Sequence, residues 1–267
     1  MSRASAFDYE SKVWGETELS LSPTTLGALR LRYCLEDLAD VRGTVVELGC
    51  GGGAFLRAAE RHRPDLRVVG IDISERAMAR AASSGAGLVR GDVARLPLAN
   101  ASADAIVFFD VLEHVADPDA VLAEAARVLR PGGRLHAFVP CEGSAYTLHG
   151  IASRLGYSPK ERYAGHIQRL SARDLERRLR SVGLVPRAWR WSGHLFMQVV
   201  DLAYFSILAL RGRNVDTTVE AIVDRSRGVR GAALGVAVRA VAGLGYAESR
   251  IMRKAPALGV HVTCVRA

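Results

Sequence analysis

The stretch "TVVELGCGGGAFLRAAERHRP", residues 44–64, decides the fold. A short apolar run, four glycines within five positions and an amphipathic run follow one another without a gap. The period of two over 44–48 reads as a strand, and the pattern over 54–62 as a helix stopped near Pro64. Gly49, Gly51, Gly52 and Gly53 therefore sit where a strand hands over to a helix. Glycine allows the tight turn, and without a Cβ a ligand can touch backbone. The helix start adds free N–H groups and the positive end of a dipole. Such a turn suits a nucleotide-like molecule or a carboxylate.

The same alternation continues on the carboxyl side. Strands are expected at 67–73, 87–92, 103–110 and 134–140, with helices at 74–85 and 117–133 between them. Ser74 and Asp117 are the expected caps, and Pro131-Gly132-Gly133 the expected stop of the second helix. Near-continuous apolar strands alternating with helices mean a parallel sheet covered on both faces. Before the glycine turn, "SPTTLGALRLRYCLEDLAD" (22–40) reads as a helix with Ser22 at its cap. After Pro140, residues 141–170 read as a long loop with some helix. A helix capped by Ser171, a strand at 184–193, an apolar helix at 194–210, helices at 217–226 and 231–249 and a final strand at 259–267 follow.

Composition narrows the setting. Net charge is +8, carried almost wholly by arginine, since Lys12, Lys160 and Lys254 are the only lysines. The arginines are spread along helices rather than gathered with aromatics, so nucleic-acid binding is not expected. Cys34, Cys50, Cys141 and Cys264 show no paired spacing, which favours reduced thiols, and a cytoplasmic location is the expectation. The start does not read as a signal peptide, and no long apolar stretch free of charge exists.

The acidic residues around the turn separate it from other glycine-rich turns. "GCGGGA" also satisfies the dinucleotide fingerprint. But Glu47 stands two residues before Gly49, and a carboxylate there would repel a pyrophosphate and suit an amino or sulfonium cation. Asp72 ends the second strand, where a carboxylate can accept both ribose hydroxyls. Asp92 ends the third strand and can accept from an adenine amino group.

"VVELGCGGG", "VVGIDIS", "GDVARLPL", "AIVFFDVLEHV" and "RVLRPGGRLHAFVP" together resemble the class I S-adenosylmethionine-dependent methyltransferases, in that family's order and near its spacing. The resemblance covers 40–142 strongly and 160–193 loosely. It implies that Glu47, Gly49, Cys50, Gly51 and Gly53 surround the methionine part, that Asp72 and Ile73 hold the ribose side, that Asp92 and Val93 flank the adenine, and that Asp110 lies near the reactive methyl. It also implies strands six and seven as a hairpin, the seventh antiparallel. S-adenosyl-L-methionine is the expected cofactor and S-adenosyl-L-homocysteine the product. Asp110, Glu113 and His114 are similar to a segment of quinone-precursor methyltransferases in which magnesium can assist; no metal is assigned here. His114 and His166 are the catalytic candidates, each with a competing reading as a packed or loop residue, and His136 reads as core.

The expected architecture is a doubly wound, Rossmann-like, seven-stranded α/β sheet with an antiparallel last strand and a helical insertion. An amino-terminal helical extension (1–40) precedes a core of 41–193 and 258–267, interrupted by an insertion at 194–257. The insertion reads as a lid, a dimer face or a membrane-surface patch flanked by Arg211, Arg213, Arg225, Arg227 and Arg230. The expected activity is methyl transfer to a small organic acceptor, an apolar one included, in specialised, quinone or lipid metabolism, at oxygen before nitrogen or carbon, by a monomer or homodimer. An NAD(P)-dependent reductase and a non-catalytic cofactor-binding protein are the alternatives.

Overall fold

The computed structural model describes residues 13–15, 17, 19–158, 160, 164–211 and 228–267. A seven-stranded sheet runs through it in the order β3-β2-β1-β4-β5-β7-β6. The strands are β1 (Gly43–Leu48), β2 (Leu66–Asp72), β3 (Gly87–Arg90), β4 (Ala103–Phe109), β5 (Leu129–Pro140), β6 (Leu184–Ser192) and β7 (Gly259–Arg266). The first five are parallel, and β7 lies antiparallel between β5 and β6. This is the expected doubly wound, Rossmann-like sheet. Strand order reverses between β1 and β4, so their carboxyl ends open a crevice there.

Period-two alternation explains why the strands are apolar throughout. Val45 and Val107 face one core layer, while Val46, Leu48, Ile106 and Phe108 face the other. The first layer is closed by α1 (Ala28–Asp37) and α2 (Ala54–His62), through Leu31, Cys34, Leu38, Phe55 and Leu56. The second is closed by α4 (Pro118–Val128) and α6 (Ala172–Ser181), through Val121, Leu122, Leu175 and Leu179. Between them in sequence lie α3 (Glu75–Ala81) and α5 (Leu148–Arg154). The helix expected in the amino-terminal extension thus forms part of the sheet's own core. Its Asp37 reaches His136 of β5 at 2.6 Å and also meets Arg190 and Thr263, which explains a fully buried histidine inside a strand. All four cysteines are free and buried.

Several expected boundaries move: β3 ends at Arg90 rather than at residue 92, and helix limits shift. The first helix starts at Ala28 rather than at Ser22, because residues 22–25 form a turn closed by Thr25 N–H donating to the Ser22 carbonyl. The helix expected over 117–133 ends at Val128, and β5 begins at Leu129. Pro131 disfavours helical geometry in the residue before it. The freed carbonyl of Leu129 accepts from Arg266, so the strand rather than the Pro-Gly-Gly stop ends this helix. The caps hold: Ser74, Asp117 and Ser171 each accept a backbone N–H of the helix that they open.

The segment between β6 and β7 contributes α7 (Leu195–Arg211) and α8 (Gly228–Ile251). Among the described residues no helix is long and apolar enough to cross a membrane. The expected helix at 217–226 lies outside the described residues, as do Arg213, Arg225 and Arg227.

Candidate functional site

The turn after β1 is built as its glycines suggested. Gly49, Gly51 and Gly53 all have positive φ. Gly51 is the most constrained: a Cβ there would lie 2.4 Å from the carbonyl oxygen of Trp14. That same carbonyl accepts from Gly52 N–H at 2.7 Å. The amino-terminal chain is therefore strapped across the turn, and Arg57 Nη2 fixes it further by donating to the Gly15 carbonyl at 3.2 Å. Cys50 N–H donates to the Ile71 carbonyl at 2.9 Å, carrying the β1–β2 pairing into the turn.

Asp72 ends β2 and Asp110 follows β4 directly, but Asp92, expected to end the third strand, lies two residues past β3 in a turn. Asp72 is half-buried, and its two oxygens accept from Gly51 N–H at 2.8 Å and Ser74 N–H at 2.9 Å. It thereby ties the end of β2 to the turn after β1, and Ile73 beside it is 54% exposed. Asp92 is exposed; one oxygen accepts from Ala94 N–H in its own turn, while Val93 packs partly on the core. Asp110 is one of two non-glycine residues with positive φ among those described, at 52°. That conformation is costly, and such positions cluster at functional sites. Its carboxylate lies 2.5 Å from Arg30 of α1, whose guanidinium stacks 4.4 Å from the Phe138 ring centroid.

Glu47 has an electrostatic part different from the one its position suggests. It is 4% exposed with one oxygen unpartnered, and burial, reinforced by Asp72, raises its carboxyl well above the usual range. Burial therefore favours its neutral form.

A second group lies just after β4. Glu113 is 1% exposed with both oxygens unpartnered, and burial and then Asp110 raise its carboxyl well above the usual range. His114 Nδ1 lies 3.2 Å from the Gly165 carbonyl, which can only accept, so Nδ1 carries the proton and Nε2 is basic. Its ring meets that of His166 edge-on at 4.9 Å. His166 Nδ1 lies 3.1 Å from Glu142 Oε1. The two catalytic candidates therefore stand together, although 52 positions separate them in the sequence.

Over this group sits an apolar roof. Trp14, Ala164, Tyr204, Phe205, Leu208 and Ala209 form one cluster, so the strap, the 164–170 loop and α7 meet. Asp201, the charge inside the otherwise apolar α7, lies 2.7 Å from both Lys160 Nζ and His149 Nε2. Sequence reasoning missed Arg30 as a member of the site, and Glu142, Lys160 and Asp201 as the charges that stand behind its histidines. Arg30 and Asp201 looked like an ordinary helix-face charge and an ordinary apolar-helix blemish. A lone acid in an apolar helix was the one available signal.

Donor atoms of Glu113, His114 and His166 lie within 4.8 Å of one another, the one such group among the described residues. One carboxyl and two imidazoles form a set for zinc or iron rather than magnesium, which wants oxygen ligands. The residues do not fit the magnesium ion that the resemblance raised, and no step is routed through a metal.

Burial and then His166 lower the His114 pKa to about 4. A depressed histidine stabilises the fold above its unfolded value, about 6.5, and that contribution is lost as pH falls from there to about 4. At its full extent it amounts to about 3 kcal/mol. The melting temperature should fall between pH 7 and pH 4.5, and His114→Gln should flatten that fall. Equal slopes for the two proteins in scanning calorimetry would contradict it.

The family described as a methyltransferase domain matches residues 46–137. The ubiquinone biosynthesis O-methyltransferase of Cupriavidus pinatubonensis is 33% identical over 135 residues, covering 47% of this chain and 52% of that protein. The chain spans about half the length of the curated relatives it matches. Among solved structures, the [4+2]-cyclase SpnF aligns with a TM-score of 0.59 at 20% identity, over 96% of this chain and 86% of that one. The geranyl diphosphate C-methyltransferase of Streptomyces coelicolor A3(2), solved with Mg2+, geranyl diphosphate and S-adenosyl-L-homocysteine, aligns at 0.55 and 15% identity, over 90% and 77%. At these identities the structural likenesses concern the fold.

Proposed function

We propose, from the premise that residues 46–137 are a methyltransferase domain, that the chain moves a methyl group from S-adenosylmethionine to a small acceptor with an apolar body, at a hydroxyl oxygen. The observation that carries this reading is Asp72, locked by Gly51 and Ser74 N–H groups at the mouth of the glycine turn. The residues fit the cofactor. Asp72 presents a preoriented carboxylate to ribose hydroxyls, Ile73 and Val93 offer apolar faces to an adenine, and Asp110 with Arg30 offers one charge of each sign to an amino acid's ammonium and carboxylate. The antiparallel β7 and the family match speak against the reductase alternative.

The bound cofactor would supply a methyl already activated on a sulfonium. The protein's share is then to orient the acceptor, exclude water and take a proton. The roof of Trp14, Tyr204, Phe205 and Leu208 does the excluding. His114 and His166 supply ring nitrogens; a pKa of about 4 keeps His114 neutral at pH 7 but makes it a weak base, so the proton-accepting role is given to His166. An oxygen acceptor agrees with a base at the site; a quaternising nitrogen would need none.

Calorimetric titration with S-adenosylhomocysteine and, separately, NADH tests the reading. Saturable binding of the first alone is expected; binding of NADH alone would overturn it. The relative with cyclase chemistry on this fold gives a second outcome, since fold does not fix reaction. If cofactor binds but no acceptor yields S-adenosylhomocysteine stoichiometrically, the cofactor-binding, non-methylating reading takes its place. Phe205→Ala opens the roof, and with an acceptor in hand it should raise the acceptor KM about tenfold, the loss expected from one aromatic contact. An unchanged KM would remove α7 from the acceptor site.

A further inference from the structure

We propose that Lys160 and Asp201 latch α7 onto the core through Glu142, and that Glu142 is the positioning residue that orients His166 as the base. The chain of contacts is continuous. Asp201 Oδ2 of α7 lies 2.7 Å from Lys160 Nζ, and Lys160 Nζ lies 3.1 Å from Glu142 Oε1. The same Oε1 lies 3.1 Å from His166 Nδ1. Lys160 also acts through its backbone, since its carbonyl accepts from Ala164 N–H at 2.9 Å and His166 N–H at 3.4 Å. Glu142 lies two residues past the end of β5, so one end of the chain of contacts is fixed near the sheet and the other to the roof.

The tautomer follows from the charges. Burial alone would protonate Glu142, but Lys160 and then His166 outweigh it and hold the carboxyl far below its usual range. Burial alone would also discharge Lys160, but Asp201 and Glu142 outweigh it. An ionised carboxylate only accepts, so His166 Nδ1 donates to it, and in the neutral ring Nε2 is the nitrogen left to act as the base. If α7 lifts and Asp201 leaves, Lys160 loses one of its two counter-charges and Glu142 its fixed neighbour. The carboxyl can then take a proton and donate, and His166 no longer has a reason to keep Nδ1 protonated. Roof closure and base orientation are one event in this arrangement, so a basic Nε2 is assembled when the acceptor is sealed in. Lys160 and Asp201 touch no reacting atom; they act through Glu142.

The proposal rests on the methyl-transfer reading only for the use that Nε2 is put to. Its test needs no acceptor: long-range proton–nitrogen correlation spectra of the isotope-labelled full chain report the tautomer of each histidine, with His166→Asn assigning the signal. The wild-type protein should show His166 protonated at Nδ1. Lys160→Met and Asp201→Asn should shift the signal towards the Nε2-protonated form, and Lys160→Arg should restore it. S-adenosylhomocysteine affinity, measured on the same samples, should stay within twofold of wild type in all three variants, because the latch lies outside the glycine turn. A wild-type His166 protonated at Nε2, or a tautomer unmoved by both Lys160→Met and Asp201→Asn, overturns the proposal. Loss of S-adenosylhomocysteine binding by the wild-type protein would instead sink the methyl-transfer reading and leave the tautomer result standing. Should Lys160→Met fail to fold, Asp201→Asn and the wild-type spectrum still decide.

Discussion

Asp72→Ala should weaken S-adenosylhomocysteine binding at least a hundredfold while the protein stays folded. The carboxylate does two things at once. It accepts from Gly51 and Ser74 N–H groups, and in the proposed complex it also accepts from the ribose hydroxyls. Alanine leaves both donors without a partner and removes the acceptor for two hydroxyls. Charged hydrogen bonds contribute about 1.5–3 kcal/mol each, so losing two to a ligand exceeds the ~2.7 kcal/mol that a hundredfold represents. Asp72→Asn keeps the shape and one acceptor oxygen and should fall between the two. Calorimetric titration measures it, with the far-ultraviolet spectrum as the folding control. An affinity within threefold of wild type for Asp72→Ala would remove Asp72 from the ribose role.

Gly51→Ala is the second large effect. The position has φ of 51°, and the new methyl would sit 2.4 Å from the Trp14 carbonyl oxygen, a backbone atom that cannot rotate away. The left-handed conformation costs an alanine about 1 kcal/mol. The contact costs more, because the strap must lift and Gly52 N–H loses its acceptor at 2.7 Å. Trp14 then leaves the roof cluster with Phe205 and Leu208. The melting temperature should drop by several degrees and S-adenosylhomocysteine affinity by tenfold or more, a factor equal to about 1.4 kcal/mol. Gly132→Ala is the control: its φ is 75°, and a Cβ there meets nothing within 4 Å. It should show the conformational cost alone and leave affinity untouched. Equal losses in the two variants would mean that the strap does not bear on the cofactor site.

Much of this was legible in the residues because the signals were local. A strand–glycine–helix succession, acids at strand ends and caps at Ser74, Asp117 and Ser171 all act within a few positions. Asp72 could be placed at the turn from strand periodicity alone. What could not be read was long-range. Arg30 meets Asp110 across 80 positions only because α1 packs under the sheet. Glu142, Lys160, His166 and Asp201 come from four segments, and no spacing rule joins them. The helix start at Ala28 and the early start of β5 were misplaced because a turn at 22–25 and the pairing partners of Leu129 outweighed local propensity. The Coulomb argument for Glu47 was incomplete for a related reason: its charge depends on burial, which neighbouring strands decide. Ser22 and Pro23 gave a sound capping signal that the chain uses for a turn instead.

Everything functional rests on the strand-end acids and the glycine turn enclosing one adenosyl amino acid. A crystal structure of the full chain soaked with S-adenosylhomocysteine tests this most directly. The account predicts the ribose hydroxyls on the Asp72 carboxylate, the adenine between Ile73 and Val93, and the amino-acid end between the glycine turn and the Arg30–Asp110 pair. Ligand density elsewhere on the molecule, or its absence at saturating concentration with the turn intact, would contradict it.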